Sequence, residues 1–103
     1  MTEKALERKA IDYLKSRGAY VRKQSGTPLS GKGVPDRFVC YRGRFIALEF
    51  KHPDLNLSKE LLAVNDVYAE PAQRKHLQEI RAAGGLAFVV NSLEHIDEVL
   101  GLV

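Results

Sequence analysis

The chain has 103 residues, 45% of them hydrophobic, which suits one compact domain with one core and leaves no room for two domains of ordinary size. Apolar runs such as Leu86-Ala87-Phe88-Val89-Val90 stop far short of the roughly 20 residues that cross a bilayer, and Glu3, Lys4, Glu7, Arg8 and Lys9 interrupt any signal-like stretch. A soluble, intracellular protein, cytoplasmic in location, is expected. The single cysteine, Cys40, excludes an internal disulfide and a thiolate metal cluster, and its apolar surroundings predict a small buried hydrophobe. His52, His76 and His95 are scattered without zinc-ligand spacing and receive no chemical role.

Charge is divided unevenly. Residues 1–51 carry 12 Lys and Arg against 5 Asp and Glu, whereas residues 52–103 carry 4 against 8. A basic half suits a polyanion such as a nucleic acid backbone, and equally suits a solvated lysine-rich surface.

Taken in chain order, residues 3–17 form a helix with Leu6, Ala10, Tyr13 and Leu14 at spacings of three and four, closed by Gly18. Ala19 to Lys23 is a short strand, and Ser25 to Pro35 a loop rich in Gly, Pro and Ser. Arg37 to Tyr41 and Arg44 to Phe50 are strands joined by Arg42-Gly43 as a hairpin turn. The connection from His52 to Ala72 is long, with a helical stretch possible from Lys59 to Val67. Pro71 opens a helix over Ala72 to Ala83 that Gly84-Gly85 ends, Leu86 to Val90 is a buried strand, and Ser92 caps a last helix to Leu100. The order helix, three strands, helix, strand, helix implies an α/β fold: a mixed four-stranded sheet covered by helices on both faces, forming a single domain over 1–103.

The hairpin places the charged residues. With Arg42-Gly43 as the turn, facing residues have numbers that sum to 85, so Tyr41 faces Arg44, Val39 faces Ile46 and Asp36 faces Glu49. Facing carboxylates destabilise a sheet unless something compensates. Alternation sets Lys51 on the same face as Glu49. Two hard oxygen donors beside a lysine fit a Mg²⁺ or Mn²⁺ site that shares its coordination with a phosphate. A salt-bridged surface cluster is the plainer alternative, and the flanking Ile46, Ala47, Leu48 and Phe50 argue against it, because charges within such a run are costly. Glu7, in line with Ile11 and Leu14 on the first helix, offers a third acid; an ordinary helix-flank glutamate is the other reading.

Gly33-Val34-Pro35-Asp36, then Glu49-Phe50-Lys51 after a hairpin, then Gln73 opening a helix, resembles the PD-(D/E)xK nuclease superfamily and most closely its VRR-NUC branch. The resemblance spans about Glu7 to Asn91 and implies a restriction-endonuclease-like core. It makes Asp36 and Glu49 metal carboxylates, the Phe50 backbone carbonyl a further ligand, Glu7 the first-helix acid, Lys51 the lysine facing the attacked phosphate, and Gln73 a residue that holds the site. Lys23 matches a position that is commonly basic. The chain departs from the branch in the 21 residues from His52 to Ala72.

The implied activity is Mg²⁺- or Mn²⁺-dependent hydrolysis of DNA phosphodiesters. Lys23, Arg22, Lys32 and Arg37 would bind flanking phosphates, and the absence of a base-reading motif points to DNA shape or junctions as the feature recognised. A non-catalytic nucleic-acid-binding module on the same scaffold is the alternative from another class, and an archaeal-type Holliday junction resolvase the alternative among nucleases. An RNA-binding sheet would display clustered aromatics, and the four Phe and four Tyr show no such grouping along the chain. The apolar residues Leu55, Leu57, Leu61, Leu62, Val64, Val67 and Tyr68 give the long connection the composition of a homodimer interface, of a shield over the groove, or of a segment packed on its own core.

Overall fold

The computed structural model describes residues 1–24, 31–60 and 63–103. Helix α1 runs Glu3–Ser16, with Thr2 as N-cap, its hydroxyl accepting from the Ala5 amide. Strands β1 (Tyr20–Lys23), β2 (Arg37–Tyr41) and β3 (Arg44–Phe50) follow; then come a 3-10 helix at Ala63–Tyr68, helix α2 (Pro71–Ala82), strand β4 (Leu86–Val90) and helix α3 (Leu93–Gly101). The sheet order is β1-β2-β3-β4, antiparallel except for the β3–β4 pair, which is parallel. The 3-10 helix and α2 provide the crossover that a parallel pair requires. No helix is long and apolar enough to cross a membrane among the described residues. The expected α/β architecture is therefore observed.

The β2–β3 register is the one the turn arithmetic gives: Tyr41 faces Arg44, Val39 faces Ile46, and Arg37 faces Leu48. Arg42 and Gly43 both have positive φ, 51° and 77°, the conformation that matches a two-residue turn to strand twist. One step further along this register stand Asp36 and Glu49.

Alternation along the strands divides the interior in two. Val39, Tyr41, Ile46, Leu48, Phe50 and Val90 pack under α1 and α3 against Ala10, Leu14, Ile96, Val99 and Leu100. On the other face Ala47, Ala87 and Val89 pack with Leu77 of α2 and with Leu57 and Ala69 of the long connection. Cys40 points to this second face at a place that α2 does not cover, and it is exposed rather than buried. Its apolar neighbours in sequence are directed to the opposite side, which a run read without its partner strands does not reveal.

The connection between β3 and α2 is tied to its own domain. Buried Asn91 donates to the carbonyls of His52 (3.1 Å) and Leu55 (2.7 Å), and buried His95 is bonded to the Ser58 carbonyl (2.7 Å) and the Asn91 amide (3.1 Å). Asn65 closes a loop on Ser58, accepting from its amide and donating to its carbonyl. Arg81 of α2 grips Asp66 with two bonds, 2.6 and 2.9 Å, and also donates to the Ala87 carbonyl. Of the apolar residues here, Leu57 is buried whereas Leu55, Val64, Val67 and Tyr68 are exposed; Leu61 and Leu62 lie outside the described residues. Because a lone guanidinium would remain in a partly buried position, Asp66→Ala is expected to cost about 2 kcal/mol, a value reduced from the fully buried case for the exposure of the pair. Urea denaturation of the two proteins measures it.

Candidate active site

The site forms where β2 begins and β3 ends. Asp36 stands one residue before β2, and its Oδ2 accepts from the Phe50 amide at 2.8 Å. Its own carbonyl accepts from the Gln24 amide at 3.1 Å, which fixes the backbone on the β1 side. In a strand the N–H and C=O of one residue point to the same neighbour, so the Phe50 carbonyl faces the Asp36 side. Lys51 instead donates its amide to the Val90 carbonyl of β4, at 3.0 Å.

Glu49 is 3% exposed, and its Oε1 is buried with no hydrogen-bond partner among the described residues. Burial, a hydrogen bond to Asp36 and the Asp36 charge push its carboxyl up to about 9, while Lys51 pulls it down and Glu3 pushes it up. A carboxyl so placed takes up a proton near neutral pH unless a cation replaces it. This is the compensation that two facing acids demand.

Gln73 joins the lysine to helix α2. It occupies the third position of the helix, and its Oε1 accepts from the Glu70 amide at 2.7 Å and from Lys51 Nζ at 3.1 Å. Glu70 and Gln73 make a reciprocal capping box, with glutamate at the N-cap where the usual pattern has Ser, Thr, Asp or Asn. Glu70 is the residue that sequence reasoning missed. The glycine of Gly33-Val34-Pro35-Asp36 sets the spacing between this helix and the loop: its φ is +82°, and a Cβ there would stand 2.5 Å from the Ala72 carbonyl carbon and 2.7 Å from the Gln73 nitrogen. The Lys32 carbonyl, bonded to His76 Nε2 at 3.0 Å, fastens the same loop to the next turn of α2.

The remaining residues named from sequence are spread around this centre. Glu7 meets Arg37, Nε to Oε1 at 3.3 Å, so a proposed ligand and a proposed phosphate-binding arginine are partners of each other. Both border a recess on the α1 side that Lys4, Arg8 and Lys23 also line. Arg22, Lys23 and Lys32 are exposed. Among the described residues no group of three or more His, Cys, Asp or Glu gathers as a metal cage, so the carboxylate centre is the Asp36–Glu49 pair. Hard oxygens, one of them an orphan, are donors that fit a hard divalent cation.

Facing acids, a neighbouring lysine and a glutamine-headed helix on a mixed sheet define a restriction-endonuclease-like core. A solved structure described as a VRR_NUC domain is similar over 98% of this chain and 97% of its own, with a TM-score of 0.72 and 25% identity. No family model and no curated protein matches the sequence. The chain is thus similar, over nearly its whole length, to a VRR_NUC domain, the branch that the order of its motifs resembles.

If Gln73 positions the ammonium, Gln73→Ala should lower kcat by about tenfold or more with little change in KM. Gln73→Glu, which retains both the cap and an acceptor for Lys51, should recover most of the loss. Steady-state kinetics on a cleavable duplex separate the two effects.

Proposed function

We propose that the chain is a Mg²⁺- or Mn²⁺-dependent deoxyribonuclease that hydrolyses phosphodiester bonds, selective for branched or junction DNA and active in the cytoplasm. The observation that carries this reading is the buried, unpartnered oxygen of Glu49 beside Asp36. A module that only bound nucleic acid would keep no such costly pair.

Asp36 and Glu49 would hold the cation through side-chain oxygens and Phe50 through its carbonyl. Glu7 would share its carboxylate between the cation and Arg37, whereas Glu3 already acts on Glu49 through its charge. When bound, the ion supplies Lewis acidity toward the phosphate and acidifies a nearby water. Lys51, held by Gln73, aims its positive charge at the phosphate oxygens, where negative charge grows in the transition state. Arg22, Lys23 and Lys32 add attraction for flanking phosphates that weakens as salt rises, and Arg37 can contribute when freed from Glu7.

A homodimer is part of the proposal, since paired sites suit a substrate with two strands to cut. Val64 and Val67, 55% and 66% exposed beside Tyr68, supply apolar surface for it on the 3-10 helix. Light scattering at micromolar concentration should show a dimer that Val64→Asp with Val67→Asp dissociates.

Lys51→Ala tests the mechanism. Turnover should fall on the order of 10² to 10³-fold while Mn²⁺ affinity, measured by calorimetry, stays within about twofold, because an ammonium group is no ligand and acts on the transition state. Lys51→Arg should rescue only in part. Native-rate cleavage by Lys51→Ala would remove the lysine from the mechanism.

A further inference from the structure

The half of the second sheet face that α2 leaves uncovered carries Tyr20 of β1, Phe38 and Cys40 of β2, and Phe45 of β3. Tyr20 is 63% exposed and Phe45 42% exposed. The rings of Phe38 and Phe45 lie 5.1 Å apart at 60°. With Arg22 and Gln24 these residues line a shallow recess of about 220 Å³. These aromatics are distant in sequence, and strand pairing collects them: Tyr20 faces Cys40 across one ladder, and Cys40 faces Phe45 across the next.

We propose that this face is a stacking platform for unpaired nucleotides of the DNA strand that enters the carboxylate site. The substrate class rests on the nuclease reading above; the platform rests on its own geometry. Two features select a single strand over other occupants. Arg22 lines this recess and, among the described residues, no Asp or Glu does, so the face attracts a polyanion. Moreover, the same-face row Cys40, Phe38, Asp36 on β2, exposed or half-buried throughout, runs from the aromatics to the acids. Four steps of strand separate Cys40 from Asp36, about 13 Å. A strand with a phosphate at the acids would place neighbouring bases over the rings, and base–aromatic stacking adds affinity without sequence preference.

The test is fluorescence anisotropy in EDTA with an oligothymidylate and an abasic strand of the same length. The wild-type protein should bind the base-bearing strand on the order of tenfold more tightly. Tyr20→Ala and Phe45→Ala should each reduce that ratio to within about twofold, Tyr20→Trp should preserve it, and Leu102→Ala, at an exposed site elsewhere, should leave it unchanged. Equal affinities in the wild type, or a ratio unaltered in both alanine variants, would overturn the platform. So would loss of self-association in those variants with the ratio intact, which would assign the face to a second copy of the chain. Because EDTA prevents metal-dependent cutting, these outcomes are independent of cleavage. Lack of cleavage in Mg²⁺ or Mn²⁺ would remove the nuclease reading and leave the stacking result standing.

Discussion

Asp36→Asn and Glu49→Gln should each lower DNA cleavage on the order of 10³-fold or more and leave the fold intact. Each change removes one of the two acidic donors available to the cation, and neither touches the cores on the two sides of the sheet. Stability should move the other way. Burial and Asp36 raise Glu49 to about 9, so between the ordinary carboxylate value and about 9 the folded protein binds more protons than the unfolded chain. The contribution of Glu49 to stability in metal-free buffer then falls as pH rises through that window. Glu49→Gln should flatten this dependence and melt above the wild type at pH 8. Thermal melts at pH 5 and pH 8, in EDTA, give the comparison. A variant that melts well below the wild type at both values would show Glu49 to be a structural acid.

Gly33→Ala should have the largest effect on stability. The added Cβ meets backbone atoms of Ala72 and Gln73 well inside contact distance, and the residue must also hold a φ of +82°. Strain and overpacking together suggest a loss of about 3–5 kcal/mol, which for a domain of this size lowers Tm by more than about 10 °C. A protein that avoids the collision by shifting α2 would separate Gln73 from Lys51, so activity should fall even below the melting range. Gly31→Ala is the control: Gly31 also has positive φ, but nothing lies within 4 Å of its Cβ position. It should therefore lose only the part of the stability due to strain.

The sheet and the acid pair were legible in the sequence because a two-residue turn fixes the register of everything beyond it. Arg42-Gly43 set the partner of every β2 residue, and Asp36 and Glu49 came together from that alone. Sidedness was harder. Cys40 looked buried and the aromatics looked dispersed, since neither one strand nor one ring shows which part of a sheet face a helix leaves open. The hold on the long connection was also out of reach: His95, Asn91 and Asp66 act through backbone carbonyls or partners far along the chain, and no periodicity records such bonds. Glu7 illustrates the limit of a helical stripe. Its spacing placed it near apolar residues, but the carboxylate is turned toward Arg37, whose position depends on how β2 packs against α1. Gln73 was visible as part of a motif, whereas its dual bond to Glu70 and Lys51 required the close approach that Gly33 permits.

Whether this pair of acids cuts DNA with a divalent cation is read from substrate cleavage. Labelled single-stranded, duplex, flap and four-way DNA are incubated with the protein in Mg²⁺, in Mn²⁺ and in EDTA, beside Asp36→Asn. Mapped cuts are expected with either cation, strongest on branched DNA, and they should vanish in EDTA and in the variant. Cutting that persists in EDTA and in Asp36→Asn, or no cutting of any substrate with either cation, would contradict the proposed function.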